Sequence, residues 1–272
     1  MIAKPSKDAV SPVALSRKQR KPSWFARAAL ERGLAAGGCP VCSSLRHVAR
    51  RYIFSFLYEG MMSGSARAQF LKGGGFCREH FWQAKAIEAE CWADGFGVAI
   101  LCENLLARSL NDVERMPSAK LAKKTNIFGI EKPSHGKPPE FGVVPGSGCT
   151  VCATLEESEN HYLTVLENLL EETEFSQLYQ HSPGLCFYHL RVSAGQWRSA
   201  SALTLARSTA GRVVHGLIAD LREFQRKHDY QFSDEPRGSE SASPERALEF
   251  LVGPRTELAG FCDLVPARRH NR

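Results

Sequence analysis

The sequence predicts an all-α protein made of two related helical units, each organised around a Cys₃His metal site, followed by a C-terminal helix. Three observations predict it. Apolar residues recur at helical spacings and strand-like alternation is scarce. Two blocks of cysteine and histidine repeat at a nearly constant offset. Between them, residues 111–148 are broken by prolines and glycines, as a linker is.

The repeat runs as follows. Cys39-Pro-Val-Cys42 is followed by Gly75-Phe-Cys77-Arg-Glu-His80, and Cys149-Thr-Val-Cys152 by Gly184-Leu-Cys186-Phe-Tyr-His189. Cys39 and Cys149 are 110 positions apart, Cys77 and Cys186 are 109 apart. At the first offset Val41, Leu45, Tyr52 and Phe56 map onto Val151, Leu155, Tyr162 and Leu166. Their spacings of four, seven and four mark one face of a helix.

A Cys-x-x-Cys turn aims two sulfurs at one point, and a Cys-x-x-His pair adds a third sulfur and an imidazole. Three thiolates and one imidazole close a tetrahedron around Zn²⁺ and leave no open position, which is the chemistry of a structural site. The predicted ligands are Cys39, Cys42, Cys77, His80, Cys149, Cys152, Cys186 and His189, for two Zn²⁺ ions. An iron–sulfur cluster is the alternative cofactor, because thiolates suit both metals. Disulfides leave both histidines unexplained, and a thiol redox motif lacks its βαβ setting. The first cysteine pair could close a site with either Cys-x-x-His pair, since the intervening loops differ little in closure entropy. Cys91, Cys102 and Cys262 have no partner at ligand spacing, and Cys91 and Cys102 read as buried small hydrophobes.

Element by element, Ser23 caps a helix over 24–36 that ends at Gly37-Gly38. A long helix follows Cys42 to about Glu59, and Gly73-Gly74-Gly75 turns into the second ligand pair. Residues 81–110 are helical, with a break at Asp94-Gly95. The second unit repeats the plan: a helix from Val151 to about Thr173, a turn at Pro183-Gly184, and helices from Phe187 and from Leu203 to Lys227. Ser243-Pro244-Glu245 starts a last helix, and Gly253-Pro254 stops it. The predicted organisation is a basic disordered tail over 1–22, metal-binding repeats over 23–110 and 149–232, the linker, and a C-terminal segment over 233–272. Arg226, Lys227, Asp229 and Tyr230 at the end of the second repeat form a candidate polar site with Glu240 and Arg246 of the C-terminal segment.

The chain has 272 residues and a net charge of +6, but the charge lies at the ends. Residues 1–22 carry +5, whereas residues 23–252 hold 25 cations against 26 anions. A neutral body with basic tails supports nucleic-acid binding only weakly, through the tails. A protein partner is the expectation, and no membrane, since no apolar run approaches a span of roughly 20 residues. The start of the chain lacks the apolar stretch of a secretory signal, so the expected location is cytoplasmic. No Ser-His-Asp arrangement, phosphate loop or His-Glu-x-x-His signature can be placed, and no catalytic residue is assigned.

Together these motifs resemble an uncharacterised bacterial family, a domain of unknown function. The resemblance rests on the paired cysteine and Gly-x-Cys-x-x-His blocks and on Glu156, Glu157 and Glu159. It also rests on the Phe-x-Arg-Lys-x-Asp-Tyr-x-Phe segment at 224–232 and on Ser-Pro-x-Arg-Ala at 243–247. Thr150 departs from the Cys-Pro of the pattern and leaves the ligands intact. The likeness spans about residues 35–253. Members are often labelled substrate-binding components of ABC transporters. The resemblance implies metal binding and the domain limits, and no established activity. The leading functional reading is a zinc-holding helical scaffold that presents a partner-binding surface. The alternatives are a nucleic-acid-binding regulator and an iron–sulfur electron carrier or redox sensor.

Overall fold

The computed structural model describes residues 24–92, 94–114, 123–125, 131–133, 146–232 and 234–254. Both basic tails, the proposed Ser23 cap and Cys262 lie outside them. The described residues form ten α-helices: α1 (Trp24–Ala35), α2 (Pro40–Tyr58), α3 (Gly64–Lys72), α4 (Arg78–Cys91), α5 (Phe96–Glu114), α6 (Thr150–Leu169), α7 (Thr173–Gln180), α8 (Phe187–Gln196), α9 (Ala200–Arg226) and α10 (Ser243–Val252). Among the described residues, the linker holds one short pair of strands. β1 (Lys123–Thr125) pairs antiparallel with β2 (Glu131–Pro133), with Lys124 opposite Lys132.

The break expected at Asp94-Gly95 is real: Gly95 has φ +71°, and α5 starts immediately after it. The buried Glu88 carboxylate on α4 accepts hydrogen bonds from the first amides of α5, Gly97 and Val98, at 2.5 and 3.1 Å. A negative group there satisfies orphan donors and complements the helix dipole. Two short helices were not expected from the periodicity, α3 and α7. Each follows the long helix of its unit and brings the chain to a ligand turn. α10 also differs in detail, since Ser243 is its first residue and Ala242 occupies the cap position.

α2 and α6, the equivalent helices of the two units, pack against each other in opposite directions. Val41 and Leu45, near the start of α2, share a core with Leu163, Leu166 and Leu169 near the end of α6. Ile53 and Phe56, late in α2, share a second core with Val151 at the start of α6. α1, α7, α8 and α9 complete the first core, where Leu30, Phe175 and Ala206 are fully buried. α3, α4 and α5 complete the second, where Phe56, Phe70, Phe76 and Phe81 meet edge to face or tilted at 5.0–6.1 Å. The start of α2 is therefore opposite the end of α6, and the start of α6 opposite the end of α2.

Candidate metal centres

Four helices begin at a candidate ligand cysteine. Cys39, Cys77, Cys149 and Cys186 are the N-cap residues of α2, α4, α6 and α8. The second ligand of each pair sits three residues further on, in the first turn, facing the same way. Each N-terminus carries unsatisfied amides and positive dipole, which favour a thiolate over a thiol.

These half-sites combine across the units. Cys39 and Cys42 meet Cys186 and His189 at site 1; Cys149 and Cys152 meet Cys77 and His80 at site 2. In each group the four ligand atoms lie within 4.8 Å of one another. The sequence leaves this pairing open, and helix length resolves it. α2 has 19 residues and is about 28 Å long, so its far end is remote from Cys39 and Cys42. The chain reaches Cys77 at that far end, beside the start of the antiparallel α6. The same argument carries Cys186 to the start of α2.

Glycines make the ligand turns possible. Gly75 and Gly184 have φ of +83° and +69°, the left-handed region. At site 2, Gly73-Gly74 packs backbone to backbone against Gly146–Gly148: Gly146 N–H donates to Gly74 O and Gly148 N–H to Gly73 O, both at 2.9 Å. A Cβ on Gly73 would sit 2.2 Å from Gly148 O. At site 1 the turn hangs on α7, whose buried Tyr179 hydroxyl accepts the Leu185 amide at 3.1 Å, while Ser182 Oγ accepts that of Gly184. Phe70 is the counterpart of Tyr179 at the 109 offset, and its carbonyl accepts the Gly75 amide at 2.8 Å. An aromatic residue before each glycine turn was the available sign of α3 and α7.

At site 1, His189 Nδ1 is 3.4, 3.3 and 3.2 Å from the sulfurs of Cys39, Cys42 and Cys186, and Cys42 and Cys186 are 3.7 Å apart. At site 2, His80 Nδ1 is 3.1, 3.5 and 3.4 Å from Cys77, Cys149 and Cys152, with Cys152 to Cys77 at 3.6 Å. Four donors placed tetrahedrally around one zinc, at its usual bond lengths, stand roughly 3.8 Å apart for sulfur pairs and about 3.6 Å for sulfur and nitrogen. The observed separations are close to those values and far beyond a disulfide bond.

Hydrogen bonds from Cys39, Cys42 and His189 hold Cys186 well below the usual thiol range, and the bond to Cys186 pushes Cys42 far up. Burial opposes protonation of His189, yet bonds to Cys186 and Cys39 outweigh it and raise the imidazole to about 10. At site 2, burial raises Cys149, but the bond from His80 and amides of Cys152 and Cys77 bring it down to about 6. Burial and the neighbouring Cys77 and Cys149 push Cys152 up to about 12. A divalent cation bound among them would allow all three thiols of a cluster to ionise.

Of the remaining cysteines, Cys102 is free and half-buried on α5. Cys91 is half-buried on α4 and disulfide-bonded, which differs from the expected apolar filler. Of the candidate polar residues, Lys227 and Glu240 are joined directly, in a strap of chain between α9 and α10. Lys227 Nζ reaches Glu240 Oε1 at 2.9 Å and Pro236 O at 2.8 Å. Arg226 pairs with Glu223 and Glu235, and its guanidinium lies 4.6 Å from the centre of the Phe232 ring. Arg246 pairs with Asp220 at 2.8 Å, Asp229 Oδ1 accepts the Gln231 amide at 3.0 Å, and Tyr230 is exposed.

The fold and the sites define a helical protein with two Cys₃His groups, each able to hold a metal ion. The chain belongs to a family of unknown function, DUF6062, whose profile matches residues 31–257. No curated protein and no solved structure matches it. No helix among the described residues is long and apolar enough to cross a membrane.

Proposed function

We propose that the protein is a zinc-holding scaffold in which two structural Cys₃His sites tie its halves together and shape a surface for a protein partner. The observation that carries this reading is the closure of both ligand sets, each within 4.8 Å, from residues 144 or 69 and more positions apart on the chain. Three thiolates and one imidazole around a single ion match Zn²⁺ chemistry. The short spacings favour one ion over an iron–sulfur cluster, in which ligands are distributed over separate irons. The closed donor sets speak for structure over catalysis.

The surface that supports a partner role lies on α5, where Phe96, Leu106, Leu110 and Val113 are exposed. Ala99, Cys102, Leu106, Leu110 and Val113 continue as one stripe at helical spacing. Six cluster thiols call for a compartment that keeps thiols reduced, and the cytoplasm is the setting we propose. The disulfide at Cys91 is the observation against it. Metal analysis of the purified chain tests the central claim. Two zinc ions per chain and a colourless protein are expected; a chain free of metal, or a brown one rich in iron and sulfide, would overturn it.

A further inference from the structure

The two sites share donors and symmetry but differ in their surroundings. At site 1, Cys39, Cys186 and His189 are 6%, 3% and 3% exposed. His189 Nε2 lies 3.1 Å from Glu159 Oε1 as an ion-pair contact, and both atoms are buried without a hydrogen bond. A carboxylate on the outer nitrogen of a ligand imidazole fixes its orientation and raises its basicity. Gly253, just after α10, covers Cys42: a Cβ there would be 3.6 Å from its sulfur. A cavity of about 300 Å³ reaches Cys39 and Cys186, but α10 closes one side of it through Glu249 and Phe250.

Site 2 has neither support. Cys152 is exposed and Cys77 is half-exposed. A groove of about 640 Å³ opens over Cys149 and Cys152, between Lys72, Gly73 and Glu156. At the 110 offset, the position of Glu159 is taken by Ala49, which offers no carboxylate to His80.

We propose that site 2 is an exchange site, which gives up and regains its zinc through the open groove while site 1 keeps its ion. This deepens the metal-binding reading and rests on it. The incoming donor binds the ion from the exposed Cys152 side, and each thiolate it displaces takes up a proton from water. The ion leaves by stepwise replacement of thiolates, with no change in oxidation state. Loading of site 2 then reports the zinc available around the protein, and its occupancy pins the Gly73–Gly74 and Gly146–Gly148 turns together.

The test uses the full zinc-loaded chain and an excess of the chromogenic chelator 4-(2-pyridylazo)resorcinol. Two phases of one zinc each are expected, the first at least about ten-fold faster, the span a missing outer-shell partner commonly produces. Iodoacetamide added during the first phase, followed by mass spectrometry, is expected to label Cys77, Cys149 and Cys152 and to spare Cys39, Cys42 and Cys186. Glu159→Ala should speed the slow phase and leave the fast one unchanged. Release of both ions in a single phase, or earlier labelling of Cys39 and Cys186, would overturn the proposal. A purified chain that never binds zinc would instead overturn the metal-binding reading beneath it.

Discussion

His189 Nδ1 lies 3.3 Å from Cys42 Sγ, although 147 positions separate them. The contact joins the start of α2 to the start of α8, and site 2 makes the reciprocal join between α6 and α4. Each ion would therefore fasten one unit to the other, and metal-site free energy becomes folding free energy of the whole body. Cys186→Ser is expected to lower the bound zinc from two to one per chain and to reduce the thermal midpoint. The Cys77→Ser, Cys186→Ser double variant should lose both ions and much of its helical circular dichroism. A double variant as stable as the parent would count against the scaffold.

The glycine pair at site 2 provides a sharper probe. Gly73→Ala places a Cβ on the carbonyl of Gly148, a backbone atom that cannot swing away. The turns must separate, at a cost of about 1–3 kcal/mol, typical of overpacking. Zinc at site 2 should weaken while site 1 is untouched. Gly38→Ala, next to site 1 with open space around its Cβ, is the control expected to change neither.

Glu88 offers a prediction independent of metal. The residue is 2% exposed and its carboxylate accepts the amides of Gly97 and Val98, so Glu88→Ala leaves two helix-start donors without that partner. A loss of about 1–3 kcal/mol is expected from those orphaned groups, read as a lower urea midpoint with zinc content unchanged. A neutral result would mean that water replaces the carboxylate at no cost.

The strap between α9 and α10 predicts a pH signature. The hydrogen bond from Lys227, helped by the Gly238 amide, holds Glu240 down at about 2. A carboxyl group depressed in the folded state contributes stability above its unfolded value, near 4.5, and loses it as pH falls toward 2. Glu240→Gln should therefore be less stable than the parent by a constant margin between pH 5 and 8. The margin should begin to shrink below about pH 4.5. Urea unfolding across that range checks it, and a margin that varies between pH 5 and 8 would refute the assignment.

Much of this molecule was legible because its signals are local. Ligand spacing within each pair, the apolar face of α2 and α6, and the break at Gly95 each depend on neighbours within a few residues. α3 and α7 escaped because they are short and their role is positional, namely returning the chain to a glycine turn anchored by Phe70 or Tyr179. The ten-helix body also contains the β1–β2 hairpin within a segment that composition marks only as a linker. Of the polar residues singled out in the sequence, Arg226 and Lys227 have their charges engaged with Glu223, Glu235 and Glu240 in holding the chain.

By itself the sequence determined the helical class and marked eight Cys and His residues in four pairs, because two donors three positions apart at a helix start face one point in any fold. Only the tertiary structure decided which pairs come together. α2 and α6 are too long for the chain to return within its own unit, and their antiparallel packing sets each helix start beside the other unit's turn. The same packing decided which site is sheltered: Glu159 meets His189, whereas Ala49 leaves the matching position empty of charge.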